Sequence, residues 1–243
     1  MPRSERLPRR ALVLIAPLLV ACSTGEPGST PGGSRSAAPS ATPTPSSSTA
    51  LPTPTAPTGT PDPTPTGPTP SDGTPRRARL SIPALDVDDL AVVPYVGFTD
   101  DAPGTEIQNR GHAASPHGRR GGTGPGGIGN YQVTAHRLSS TRAFEFLPQL
   151  RRGDRVHVEA GGVRYTYRIT ETRRTSFRSP RSLREQRAAV PGRPGVEPTA
   201  AMITLSTCAT IEDHAVGNYW SDEFDNPEHR IDKIGVLIRA QGS

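Results

Sequence analysis

Ala201-Met202-Ile203-Thr204-Leu205-Ser206-Thr207-Cys208 decides how this chain is read. It is a short apolar and β-branched run, the pattern of a buried strand. It ends on the only cysteine of the region whose composition permits folding. A thiol at a strand end is held rigidly and still faces the loops through which a substrate enters. Upstream, Asn130-Tyr131-Gln132-Val133-Thr134-Ala135-His136 forms a matching strand that ends on a histidine. Downstream, after an acidic stretch, His229-Arg230-Ile231-Asp232-Lys233-Ile234-Gly235-Val236-Leu237-Ile238 reads as a third. Cys208, His136 and Arg230 are the candidate active-site residues.

Outward from these strands, composition divides the chain. Only 32% of the 243 residues are hydrophobic, and the 28 prolines exceed twice the usual ~5%. From Ser23 to about Pro75 the sequence is almost wholly Pro, Thr, Ser, Gly and Ala. Such a segment cannot bury enough surface to offset its ordering entropy, so residues 22–75 are expected to be a disordered Pro/Ser/Thr-rich linker. Polyproline II advances about 3.1 Å per residue, giving a reach on the order of 100–150 Å. What remains, residues 76–243, is roughly 165 residues, enough for one domain with a core.

The Arg-rich segment Met1–Arg10 precedes the apolar run Ala11–Val20 and then Leu19-Val20-Ala21-Cys22. The run is too short to span a ~30 Å hydrocarbon core and fits the apolar region of a signal peptide over residues 1–21. Leu-Val-Ala-Cys resembles the lipobox of bacterial lipoproteins, which implies lipidation of Cys22 and leaves Cys208 unpaired. Arg3, Arg6, Arg9 and Arg10 against Glu5 place three of the five excess positive charges in this segment. The basic balance therefore does not argue for a nucleic-acid partner.

The expected domain is all-β. Arg79–Pro83 and Ala91–Val96 read as short strands around an Asp86–Asp89 turn, with prolines suited to edges or strand ends. Gly104–Gly129 reads as a long Gly-rich loop. Its Gly121–Gly127 run lacks the Gly-Lys-Ser/Thr ending of a phosphate loop. Gly153–Ala160 and Val163–Thr170 alternate cleanly about Gly161-Gly162, a two-residue hairpin turn. Phe144–Leu150 forms an apolar helical turn. Ser179-Pro180 and Ser182-x-x-Glu185 announce a short helix to about Ala189. Ala209–His229 is an acidic loop in which Trp220 is expected to wall a groove. Its spacing is not that of an EF-hand, and no metal is expected. His136 shares a phase with Gln132 and Thr134, and Cys208 with Thr204 and Ser206. Both therefore fall on the more polar strand face, as a surface groove requires. The imperfect alternation of the last strand leaves the face of Arg230 open.

A cysteine attacks as thiolate. A histidine across a groove can pair with it and return a proton to a leaving amine. A fixed arginine can stabilise the oxyanion of acyl transfer. Alone, the three residue types are weak evidence, because an unpaired cysteine is commonly a packed hydrophobe.

The motifs carry more. Thr204-Leu205-Ser206-Thr207-Cys208 resembles the Thr-Leu-x-Thr-Cys pattern of sortases. Thr134-Ala135-His136-Arg137 resembles their histidine segment, with Ala135 in place of the usual Gly. Phe144–Leu150 followed by Gly153-Asp154, and Arg230 opening an apolar strand, are similar to the same family over residues 76–240. The resemblance is greatest to class E sortases of high-GC Gram-positive bacteria. It implies a closed eight-stranded β-barrel with one or two short helices and a transpeptidase without a cofactor. Cys208 is then the nucleophile, His136 the acid/base, and Arg230 the oxyanion or substrate clamp, with Thr207 bonding substrate backbone. The substrate is a surface protein bearing an LPxTG- or LAxTG-like sorting signal, and the acceptor is an amine of a peptidoglycan precursor or another protein. The enzyme is expected outside the cytoplasm, at the membrane and wall, held by a lipid anchor where most sortases use a transmembrane helix. The competing reading is a non-catalytic wall-binding lipoprotein with a buried, inert Cys208. An L,D-transpeptidase is disfavoured because the His-Gly…Ser-x-Gly-Cys run is absent.

Overall fold

The structure, a computed structural model, describes residues 68–242. The signal and lipidation segment with Cys22, and most of the linker, lie outside the described residues. Eight strands close into one barrel: β1 (Ala78–Ile82), β2 (Val87–Val96), β3 (Ala113–His117), β4 (Gly129–Thr134), β5 (Arg155–Ala160), β6 (Val163–Ser176), β7 (Ala201–Cys208) and β8 (His229–Gly242). Their order round the barrel is β1-β2-β3-β4-β7-β8-β6-β5. Three short helices decorate it: α1 (Ala102–Asn109), α2 (Pro180–Arg187) and α3 (Thr210–Ala215). The all-β barrel agrees with the sequence reading. The expected helix after Ser179 is α2, with the Ser179 hydroxyl accepting from Ser182 N–H.

The interior is filled by alternate residues of each strand. Tyr131 and Val133 of β4, Ile203 and Leu205 of β7, Val156 and Val158 of β5, and Tyr167 and Ile169 of β6 are all sealed from solvent. The β5–β6 hairpin turns at Gly161-Gly162, both at positive φ. Phe144, Leu147 and Leu150 pack into the same buried cluster.

Three local readings change. Residues 87–89 belong to β2 rather than to a turn: Val87 pairs with Ile82, and Asp88 and Asp89 form the irregularity before the Leu80–Leu90 pair, with Asp89 N–H donating to Ser81 Oγ. Pro94 lies inside β2 but beyond the last β1 partner, so its missing N–H removes no bond on that side. The supposed loop from Gly104 to Gly129 holds most of α1 and all of β3. Gly104 and Pro103 are poor helix formers, yet Asp101 caps α1 by accepting from Gly104 N–H. The expected acidic loop likewise opens with α3.

The glycine run has a structural use. Ser71 N–H donates to Gly126 O, Gly124 N–H donates to Gly73 O, and Ser71 bridges to Gly127. A Cβ on Gly124 would lie 2.2 Å from the Thr74 carbonyl oxygen, and one on Gly126 would lie 2.2 Å from the Tyr165 ring. The run is a cradle for the strap that enters the domain. Among the described residues, the contacts of this strap reach back to Ser71.

Lys233, the only lysine in the sequence, opposes Leu205 and is 4% exposed. Its ammonium donates to the carbonyls of Pro148 and Leu150 and to Thr172 Oγ1, at 2.9, 2.7 and 3.0 Å. All three of its N–H donors are thus engaged, and they hold the 147–150 turn against the barrel.

Candidate active site

The site follows from two registers. β4 and β7 run parallel, with Thr134 beside Ser206. Beyond β4 the chain stays stitched to β7: Ala135 N–H donates to Ser206 O, and Thr207 Oγ1 donates to Ala135 O at 2.8 Å. Two residues past the Thr134–Ser206 pair, His136 therefore stands level with Cys208. On the other side β7 and β8 are antiparallel, and Cys208 pairs with Arg230. Adjacent strands are about 4.8 Å apart, so β4, β7 and β8 deliver His136, Cys208 and Arg230 side by side. All three are in phase with the same sheet face.

That face is polar but not solvated, unlike the sequence reading. Asn130, Gln132, Thr134, Thr204, Ser206 and Asp232 are buried along it. α2 and the 97–101 segment cover them with hydrogen bonds. Gln186 Nε2 donates to Ser206 Oγ and Asp232 Oδ1, and Gln186 Oε1 accepts from Thr99. Asp232 also accepts from Thr175 Oγ1 at 2.6 Å and from Ser206 Oγ at 2.6 Å. Burial pushes the Asp232 carboxyl upward, against these bonds. The result is a rigid polar layer under the reacting face.

Cys208 and His136 open into a groove of about 380 Å³, walled by Thr105 and Asn109, by Arg137–Ser139, and by Phe224–Pro227. Cys208 Sγ lies 4.0 Å from Asn226 Oδ1. Burial pushes the thiol above its ordinary value. Arg230 pulls it down, Asp100 and Asp222 push it up, and Arg137 pulls it down, with a net upward shift. Burial also lowers His136; Asp100 opposes this and Arg230 adds to it. Both shifts favour the neutral forms, thiol and imidazole. His136 Nε2 lies 2.8 Å from Asn109 Oδ1. An amide oxygen only accepts, so Nε2 carries the proton and Nδ1 keeps its lone pair.

Arg230 is 1% exposed. Its Nε donates to Asp100 at 3.0 Å, its Nη1 donates to the carbonyls of Pro227 and His229, and Phe177 lies under its face at 4.2 Å. Nη2 is buried without a partner. Burial works against the charge, but Asp100 and Cys208 outweigh it and raise the guanidinium pKa. Next to His136, Arg137 forks onto Glu212 of α3 and donates to the Cys208 carbonyl at 3.2 Å. Asp222 holds Asn226 through both its backbone and side-chain N–H groups. The acidic loop thus spends these carboxylates on fixing the site walls.

Three expected residues are not among those that line the groove: Arg230, buried beside Cys208, and Thr207 and Trp220. Thr207 is 2% exposed and faces the interior; its hydroxyl ties the ends of β4 and β7. Trp220 does not line the groove but lies 5.9 Å from the Arg178 guanidinium, and Phe224 takes the wall instead. Asp100, Asn109 and Asn226 went unread in the sequence, since each arrives on an irregular segment or a helix that the pattern did not announce. For Asn109 a signal existed: Asp101 followed by Pro103 is a helix start.

Replacing Asn109 with alanine is expected to lower kcat/KM for peptide cleavage about tenfold, the ordinary effect of misorienting a general acid. Asn109→Asp places a carboxylate against the ring, favours imidazolium, and should move the acid limb of the pH–rate profile to higher pH.

A family model described as the sortase domain matches residues 80–219, more than half of the chain and ending before Arg230. No curated protein matches the sequence. Among solved structures, the SrtA sortase from Actinomyces oris has a TM-score of 0.53 at 16% identity, covering 73% of this chain and 89% of its own. Sortase E from Streptomyces avermitilis has a TM-score of 0.50 at 24% identity, covering 71% and 93%. Sortase E1 from Streptomyces coelicolor, solved with a tripeptide in the active site, has a TM-score of 0.51 at 21% identity, covering 72% and 94%. These three share the barrel, and with the domain model matched over most of that barrel, the chain belongs to the sortase family of cell-envelope cysteine transpeptidases.

Proposed function

We propose that the chain cleaves an LPxTG- or LAxTG-like sorting signal between Thr and Gly and transfers the new acyl end to a cell-wall amine. The observation that carries this reading is the alignment of Cys208, His136 and Arg230 at one level of three neighbouring strands, with Cys208 and His136 facing a groove. In the first step the Cys208 thiolate attacks the Thr carbonyl carbon, forming the C–S bond. Arg230 Nη2, otherwise without an acceptor, takes the carbonyl oxygen as it becomes an oxyanion. The C–N bond then breaks, and imidazolium His136 gives its proton to the departing Gly amine. In the second step an acceptor amine attacks the thioester, neutral His136 removes its proton, and the thiolate leaves. The upward shift of the thiol and the downward shift of the imidazole both work against the reactive charge state.

The proposal extends to location. Lipidated Cys22 would hold the enzyme at the outer face of the membrane, and the linker would space the domain into the wall; both lie outside the described residues. Among the described residues no helix is long and apolar enough to cross a membrane. The test is intact-mass spectrometry of the full chain after incubation with LPxTG and LAxTG peptides. An acyl adduct on Cys208, released by an added amine, supports the reading. Absence of any adduct, with Cys208 resistant to alkylation in the folded state, sinks it in favour of a non-catalytic wall-binding lipoprotein.

A further inference from the structure

The ion pair between Asp100 and Arg230 has a geometry that the transfer reaction does not by itself require. Asp100 is buried and sits at φ 59, a left-handed conformation that aspartate tolerates better than most residues. Its segment cannot easily relax. Thr99 donates to Gln186 and accepts from Arg187 Nε, whose Nη2 also reaches the Thr99 carbonyl. Tyr95 OH donates to the Phe98 carbonyl, and Asp101 accepts from Phe98 N–H. The Phe98 ring lies 4.2 Å from the Arg120 guanidinium and 4.5 Å from that of Arg187. Asp100 is therefore presented from a pinned segment that α2 holds down.

A guanidinium carries five N–H donors. Asp100 takes the single one on Nε, and the Pro227 and His229 carbonyls lie within reach of the two on Nη1. The side-on fork of an arginine would let a carboxylate bond Nε and Nη2 together. Asp100 bonds Nε alone and leaves Nη2, the one buried nitrogen of the group with no partner. Phe177 blocks one face of the plane.

We propose that Asp100 is a positioning residue: by occupying Nε from a pinned segment, it fixes the guanidinium plane of Arg230 so that Nη2 alone is offered to the substrate carbonyl oxygen. This rests on the transpeptidase reading given above. The arrangement has an electrostatic cost at the nucleophile. The charges that act on Cys208 come from Arg230 on β8, Asp100 on the 97–101 segment, Asp222 on the loop after α3, and Arg137 after β4, with His136 across the groove. Asp100 and Asp222 oppose the thiolate, so removing the Asp100 charge favours it.

The test compares Asp100→Asn and Asp100→Ala with the wild-type full chain. Two quantities are read: the pH dependence of Cys208 alkylation by iodoacetamide, and kcat and KM for cleavage of an LPxTG or LAxTG peptide. Both variants should move the alkylation midpoint to lower pH by about half a unit or more. Asn retains an oxygen for Nε and should lose no more than about fivefold in kcat, whereas Ala frees the guanidinium and should lose about 50-fold, despite its more readily ionised thiol. An alkylation midpoint that does not move in Asp100→Asn overturns the proposal. So does equal loss of kcat in Asn and Ala, or retention of wild-type kcat by Ala. The alkylation arm needs no peptide. Should wild type cleave neither peptide, the substrate reading falls while the placement of Asp100 against the Arg230–Cys208 pair is still decided. Should Asp100→Ala fail to fold, the Asn variant decides it by the same midpoint.

Discussion

Cys208→Ala in the full chain is expected to abolish the acyl adduct and to lower peptide cleavage by about 10⁴-fold or more, a loss typical of removing a nucleophile. The fold should barely notice. The sulfur makes one long hydrogen-bond contact, to Asn226 Oδ1 at 4.0 Å, and the position of residue 208 is set by backbone pairing with Arg230 rather than by its side chain. Deleting one atom at the groove should cost about 1 kcal/mol or less. Because the groove walls and Arg230 remain, the variant should still bind a sorting peptide. Cleavage assays, thermal melts and peptide binding together check this. Cleavage that persists in the alanine variant rules out the thiol as nucleophile.

Arg230→Met should be as damaging to activity and much more damaging to stability. It removes the positive neighbour that favours thiolate and the proposed donor to the oxyanion. It also strands the buried carboxylate of Asp100 and the carbonyls of Pro227 and His229. Breaking a buried pair from one side costs about 3–5 kcal/mol. Arg230→Lys should not rescue activity, because a single ammonium cannot replace three divergent N–H directions. Adding Asp100→Asn to Arg230→Met should recover part of the melting temperature by removing the stranded charge, yet recover no activity. Such a cycle separates the role of the arginine in the fold from its role in the reaction. If the double variant melts no higher than Arg230→Met alone, the ion pair contributes little.

The barrel was legible because its strands alternate, and because a closed sheet buries one face of each. β5 and β6, turning at two glycines, were the clearest case. The site was legible in outline for a related reason. Cys208, His136 and Arg230 each stand at or beside a strand end, where a sequence can be read without knowing its neighbours. What sets their behaviour was not legible. Asp100 meets Arg230 across 130 positions of sequence, and Asn109 meets His136 from a helix containing Pro and Gly. The polar phase shared by Thr204, Ser206 and Cys208 looked like a wet surface. It is a buried layer, because α2 supplies a glutamine in place of water. Trp220 was misplaced since aromaticity marks a residue able to form a wall but does not say which one. The strap over Gly121–Gly127 shows the same limit from the other side, since a glycine run cannot announce the backbone that will lie against it.

The seclusion of Lys233 bears on what this enzyme can do to itself. A catalyst that hands acyl groups to primary amines risks branding its own surface, and two copies meeting at a crowded envelope could become joined. Among its 243 residues the sole ε-amine is locked inside the barrel with every hydrogen committed, and the remaining cationic side chains are guanidinium groups and imidazoles, which make poor acceptors. The barrel therefore displays no lysine handle for self-conjugation.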